Sequence, residues 1–156
     1  MYRFREYLRK KYHVSQAFYF LGCIDEDNQD LYNAIQDAGF ILIFRAHSKE
    51  STSHKKGNVD TDIVFSMMKT FNENPKPEDG KIFLVSVDGD YCKTIKYLKG
   101  QNKLGKVLFP ARRKASSLYR QIGNAYYDFL DNTGVRRKIE YKNSKSIKKE
   151  GLRLGS

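Results

Sequence analysis

The sequence predicts an α/β domain built on a mostly parallel sheet. Three observations carry that prediction. Apolar runs of strand length alternate with stretches of helical periodicity, and no two consecutive runs are joined by a tight hairpin signal. The chain also has the means to bury a core: 156 residues, 40% hydrophobic and 13% aromatic, are one domain's worth. With 11 Gly against 3 Pro and no internal repeat, the composition excludes a wholly disordered, collagen-like or low-complexity protein.

The elements follow in order. Tyr2, Leu8 and Tyr12 among basic residues suit a short amphipathic helix ending near His13. Ala17 to Leu21 reads as a buried strand. Asp25, Glu26, Asp27 and Asn28 are helix-start residues for a stripe of Leu31, Ala34, Ile35 and Ala38, and Gly39 is a natural stop. Phe40 to Phe44 is a second buried strand, bounded by a polar loop from His47 to Gly57. Val59, Ile63, Met67 and Phe71 have helical spacing, and the Pro- and Gly-containing stretch from Asn74 to Gly80 ends that helix. Lys81 to Val87 is the strongest strand. A helix from Tyr91 to Gly100 and a short strand at Val107, Leu108 and Phe109, stopped by Pro110, come next. A last helix is predicted over Ser116 to Leu130. From Thr133 the composition turns to Lys, Arg, Ser and Gly, so the reading divides the chain into a domain over 1–133 and a basic, flexible tail over 134–156. The alternation of Ile139 and Tyr141 with charge leaves a peripheral strand open there.

The net charge of +11 favours an anionic partner, nucleic acid first. The excess is uneven: residues 110–156 carry 12 Lys and Arg against 4 acids, whereas residues 1–109 carry 17 against 14. Cys23 and Cys92 are far apart, with no CxxC and no nearby histidine pair, so neither a zinc site nor a disulfide framework is indicated and a reducing, cytoplasmic setting is expected. No apolar run approaches a membrane span, and the first residues lack a signal-peptide core.

In open parallel sheets ligands bind beyond the carboxyl ends of the strands. Asp88 and Asp90 leave the strongest strand with one glycine between them, so their oxygens can converge on a hard divalent cation. The same turn also suits an aspartate capping the following helix. Asp60 and Asp62 stand in the first turn of the helix after the polar loop, where the macrodipole favours acids in any case. If both pairs face one sheet edge, three or four carboxylates meet in a cleft of an otherwise basic protein, an arrangement suited to Mg²⁺ or Mn²⁺ acting on a phosphodiester.

Lys-Gly-Asn-Val-Asp-Thr-Asp-Ile at 56–63 and Leu-Val-Ser-Val-Asp-Gly-Asp-Tyr at 84–91, followed by a Lys-Val-Leu-Phe strand, resemble the NYN domain, the LabA-like branch of the PIN nuclease superfamily. Its members show a Lys-Gly-Val-Asp helix start and a strand ending Val-Ser-Gly-Asp-Ser-Asp-Phe. The resemblance runs from about residue 12 to 131 and includes Ser-Ser-Leu-Tyr-Arg at 116–120. It implies a three-layer α/β/α PIN-like fold and a metal-dependent ribonuclease centre. Asp60, Asp88 and Asp90 match the catalytic, metal-binding acids, and Asp62 is a looser addition. Mg²⁺ or Mn²⁺ is the implied cofactor and RNA the implied partner. Three departures stand out. Val87 replaces a glycine, Asn124 stands where the family has a late Asp, and the family's opening strand, ending in an Asp-Gly-x-Asn turn, has no counterpart ahead of Tyr2. Asp25, at the end of the first visible strand, is a candidate to approach the same cleft.

Lys55, Lys56, Arg112, Arg113 and Lys114 flank the expected cleft and suit RNA phosphates, or simply a solvated basic face. The helical spacing expected for Tyr119, Tyr126 and Tyr127 favours core packing over base stacking. His13, His47 and His54 show no metal-ligand spacing, and Ser86 and Ser116 no nucleophile triad. Besides the ribonuclease, the sequence leaves open a catalytically impaired module that binds RNA or a protein partner in a regulatory role, and another Mg²⁺-dependent phosphotransfer enzyme. A homodimer through an exposed strand flank is a further expectation.

Overall fold

The computed structural model describes residues 1–22, 24–45 and 59–140. The order is helix α1 (Tyr2–Tyr12), strand β1 (Phe18–Leu21), α2 (Gln29–Asp37), β2 (Ile41–Phe44), α3 (Asp60–Glu73), β3 (Ile82–Val85), α4 (Cys92–Gly100), β4 (Leu104–Phe109), β5 (Tyr127–Phe129) and α5 (Thr133–Ile139). Every strand pairing is parallel: β1 with β2 from Phe18↔Ile41 to Leu21↔Phe44, β3 with β4, and β4 with β5. Helices intervene because parallel neighbours need a crossover connection. The α/β expectation with a parallel sheet therefore holds.

The local signals act as their chemistry demands. His13 takes the left-handed conformation (φ 57°), and its N–H donates to Arg9 C=O while the Val14 N–H donates to Leu8 C=O, closing α1. Gly39, at φ 88°, turns the chain from α2 into β2 at an angle that a Cβ would penalise. Pro77 opens a single 3₁₀ turn, Pro77–Asp79, that separates α3 from β3.

The core lies on both faces of β4, whose alternation decides the layering. Val107 and Phe109 pack with Met67, Ile95, Leu98 and Tyr119 on the side of α3 and α4. Leu108 points the other way, into a cluster with Tyr7 and Leu8 of α1, Ile35 of α2 and Leu130. Helices on both faces of the strands make the three layers.

Two expectations are corrected. Residues 116–130 do not form a helix. They run as 3₁₀ turns over Ser117–Ile122 and Asn124–Tyr126, separated by Gly123 at φ 89°, and then as β5. Tertiary pairing overrides the helical spacing here: β5 adds to the free edge of β4, Leu130 N–H donates to Phe109 C=O at 2.8 Å, and the rings of Tyr127 and Phe129 pack on Phe109. Residues 133–139 likewise do not begin a flexible tail. They form α5, which packs against α1, because Val135 and Ile139 stand one turn apart and cover the cluster around Leu108. Arg3 adds a hydrogen bond to the Glu140 carbonyl at 2.6 Å. The polar loop at 47–57 and the stretch from 141 onward lie outside the described residues.

Candidate metal centre

The turn that follows β3 is held from several sides. Ser86 Oγ accepts from Asp88 N–H at 3.1 Å, and Asp88 Oδ1 accepts from Asp90 N–H at 2.9 Å, capping the 3₁₀ turn Gly89–Tyr91 that leads into α4. Capping and a role at the site are thus not alternatives for Asp88: the bond to Asp90 fixes the orientation of its carboxylate. The segment after β4 buttresses the turn, with Ser116 N–H donating to Val87 C=O at 3.1 Å and Tyr119 O–H donating to Asp88 C=O at 2.5 Å. Gly89 is required by this close approach, since a Cβ there would sit 2.5 Å from Ser116 Oγ and 2.9 Å from Leu118 Cδ1.

Asp60, the first residue of α3, reaches the same place. Tyr91 O–H donates to its Oδ1. Both tyrosines are nearly fully buried, and their hydroxyls are pushed up from the ordinary value. Burial is the main cause, joined at Tyr91 by the hydrogen bond to Asp60 and the charges of Asp60 and Asp88, and at Tyr119 by nearby Cys92 and the charges of Asp88 and Asp90. Protonated phenols remain donors, so they position acids without adding charge.

One oxygen from each of Asp60, Asp88 and Asp90 lies within 4.8 Å of the others. Oxygens that ring a hard cation at about 2.1–2.6 Å fall within about 5 Å of one another. The all-oxygen donor set and its spacing therefore fit a hard divalent ion, with Asp88 and Asp90 exposed and Asp60 half-buried. Asp62 is not among the converging acids, because two positions along a helix turn the side chain by about 200°. Asp25 caps the 3₁₀ turn at Glu26–Asn28 instead, accepting from Asp27 N–H and from Asn28 Nδ2 at 2.7 Å. Asn124 Oδ1 accepts from the Tyr127 hydroxyl.

Arg112, Arg113 and Lys114 form an exposed 3₁₀ turn after β4, two residues ahead of the Ser116 contact with the Asp88 turn. The Arg112 guanidinium lies 4.0 Å over the Phe129 ring and donates to Asn132 Oδ1 at 2.9 Å. Lys55 and Lys56, like Cys23, His47 and His54, lie outside the described residues. Cys92 is buried with its Sγ 3.6 Å from Leu118 C=O. Sequence reasoning missed Tyr91 as a positioning residue and set Tyr119 aside as core. Its one available signal was the tyrosine directly following Asp90.

No helix among the described residues is long and apolar enough to cross a membrane. No curated protein and no solved structure gives a match. A family model, that of the NYN domain, matches residues 1–147. With nearly the whole chain covered, and with parallel strands and converging acids in place, the protein belongs to the NYN domain family, a PIN-like nuclease family.

Proposed function

We propose that the chain is a divalent-metal-dependent ribonuclease in which Asp60, Asp88 and Asp90 hold Mg²⁺ or Mn²⁺ beside an RNA phosphodiester. The observation that carries this reading is the convergence of three carboxylates within 4.8 Å at the carboxyl end of β3, in a chain of net charge +11. When bound, such an ion lowers the pKa of a coordinated water and stabilises charge on the phosphate oxygens. Asp88 and Asp90 would hold the ion from one turn, and Asp60, fixed by Tyr91, would supply the third carboxylate. Arg113 and Lys114, with Arg112 held over Phe129, draw the RNA backbone towards the acids, and Lys55 and Lys56 add charge ahead of Asp60. These contacts position the strand without reading its bases. No side chain need act as a nucleophile.

The test is cleavage of a mixed-sequence, end-labelled RNA with Mn²⁺, with EDTA, and by Asp88→Asn with Mn²⁺. Cleavage by the unaltered chain with metal alone is the expected result. RNA that is bound but uncut in every arm, with binding indifferent to EDTA and to Asp88→Asn, overturns it in favour of a non-catalytic RNA-binding module. Turnover of a small phosphate ester with RNA untouched overturns it in favour of another phosphotransfer enzyme.

A further inference from the structure

The turn that carries Asp88 and Asp90 leads directly into α4, and the 3₁₀ segment Ser117–Ile122 runs beside that helix in the same direction. Successive contacts trace the pairing. Gly89 abuts Ser116, Cys92 Sγ lies 3.6 Å from Leu118 C=O, Lys96 Nζ donates to Gln121 Oε1, and Lys99 Nζ donates to Ile122 C=O at 2.9 Å. A crease between the two segments therefore starts at the acids and follows α4 for its 9 residues, about 14 Å. It ends in a cavity of about 380 Å³ lined by Lys96, Lys99, Gly100, Gln121 and Ile122.

The charge of the crease is of one sign. Residues 92–100 and 116–122 contribute Lys93, Lys96, Lys99 and Arg120 and no acid. The lysines recur every three residues, so they follow one flank of the helix. Among the described residues none of the four cations forms an ion pair. Helix energetics argue against this arrangement on its own. Like charges three or four residues apart repel, and Lys93, in the first turn of α4, stands where the macrodipole disfavours a cation. A row of external anions offsets both costs. Lys93 and Lys96 are exposed to meet one, and Lys99 is held at the far end by the Ile122 carbonyl, with its ammonium 4.8 Å from the centre of the Tyr126 ring. Gln121 Nε2 adds neutral donors beside Lys96, and exposed Leu118, against Gly89, gives an apolar surface at the head of the crease. Cations at successive steps, with an apolar contact for a sugar or base where they begin, suit a sugar-phosphate chain better than a single small anion. The cavity at the far end has the size of a small-ligand pocket, which takes one strand and not a duplex.

We propose that the crease between α4 and Ser117–Ile122 is the bed of a single-stranded RNA, in which Lys93, Lys96, Lys99 and Arg120 hold successive phosphates on one side of the acids. That this strand is the one being cut rests on the nuclease reading; that it binds here does not. The test is anisotropy of a short, fluorescein-labelled, mixed-sequence RNA in EDTA, at KCl from about 50 to 200 mM. The full chain is compared with Lys93→Gln/Lys96→Gln and with Lys10→Gln/Lys69→Gln, which removes the same charge from exposed positions on α1 and α3. All four lysines are exposed, and circular dichroism should be unchanged in both variants. The crease variant should bind about tenfold more weakly, with a log-log salt slope shallower by about 1.4, and the control variant should stay within about twofold. Equal losses in the two variants, or none in the crease variant, overturn the proposal. An equal loss towards duplex RNA or towards a poly-Asp peptide overturns the assignment to single-stranded RNA. With Mn²⁺ added, the crease variant should raise KM for RNA about tenfold at unchanged kcat. Cleavage by the full chain with binding and KM unmoved in the crease variant overturns this inference and spares the nuclease reading. RNA uncut in every arm, with the crease variant still binding more weakly, overturns the nuclease reading and supports this inference.

Discussion

At the scale of single residues, the candidate centre depends on groups that are not themselves ligands. The phenol of Tyr91 is buried by the core and aimed at Asp60, and that of Tyr119 is aimed at the carbonyl of Asp88. Groups that orient a metal ligand typically contribute as much to affinity as a weak ligand does. Tyr91→Phe keeps the ring in the core and deletes only the donor, so its Mn²⁺ affinity, read by titration calorimetry, should fall about tenfold with folding stability lowered by about 1 kcal/mol. An unchanged affinity would show that Asp60 is positioned by α3 alone. These two tyrosines were not legible as site residues. Burial and direction come from the packing of α4 and the 3₁₀ turn at Ser117–Ile122 against β3 and β4, contacts that join residues about 30 positions apart. The acids were legible, because strand ends and helix starts are marked locally and parallel topology places both at one edge.

At the scale of elements, the segment from Ser116 to Leu130 shows where periodicity misleads. Leu118, Tyr119, Ile122 and Tyr126 have the spacing of an amphipathic helix, yet Gly123 breaks the run and the three residues of β5 are claimed by β4. A strand of three residues is too short for its own period to be read. Gly123 is needed there because a φ of 89° is open to glycine and costly for residues with a Cβ. Gly123→Ala should destabilise the fold by about 1 kcal/mol or more in urea titration, with the loss confined to conformation because no heavy atom lies within 4 Å of the added methyl. A neutral substitution would mean that the chain finds another route into β5. The same logic explains α5. Val135 and Ile139 were visible as sparse apolar residues in a basic stretch, but only the nearby surface of α1 makes them a helix face.

At the scale of the whole molecule, Asp128 ties the first helix to the sheet. Its carboxylate accepts from the Tyr12 hydroxyl at 2.7 Å and lies 3.4 Å from the Lys106 ammonium and 3.6 Å from that of Lys11. Burial alone would raise its pKa, but the Tyr12 hydrogen bond and the two lysines outweigh it and hold the group below its ordinary value of 3.8. A depressed carboxylate binds its proton less readily in the folded state, so its stabilisation is present above pH of about 4 and is lost as pH falls through the lower folded value. The melting temperature should therefore drop on acidification below about pH 4 more steeply in the unaltered chain than in Asp128→Asn, which should already be less stable at pH 7. Parallel acid profiles for the two proteins would show that the contact contributes nothing.

The sequence by itself determined the α/β class, the parallel sense of the strands, most element positions and the three acids, because hydrophobic period, capping residues and turn chemistry are local and strong. The tertiary structure alone decided that one buried phenol donates to Asp60 and another to the Asp88 carbonyl. It alone turned residues 127–129 into β5 and residues 133–139 into α5. Each of these depends on which distant surface a segment meets, and spacing along the chain carries no record of that.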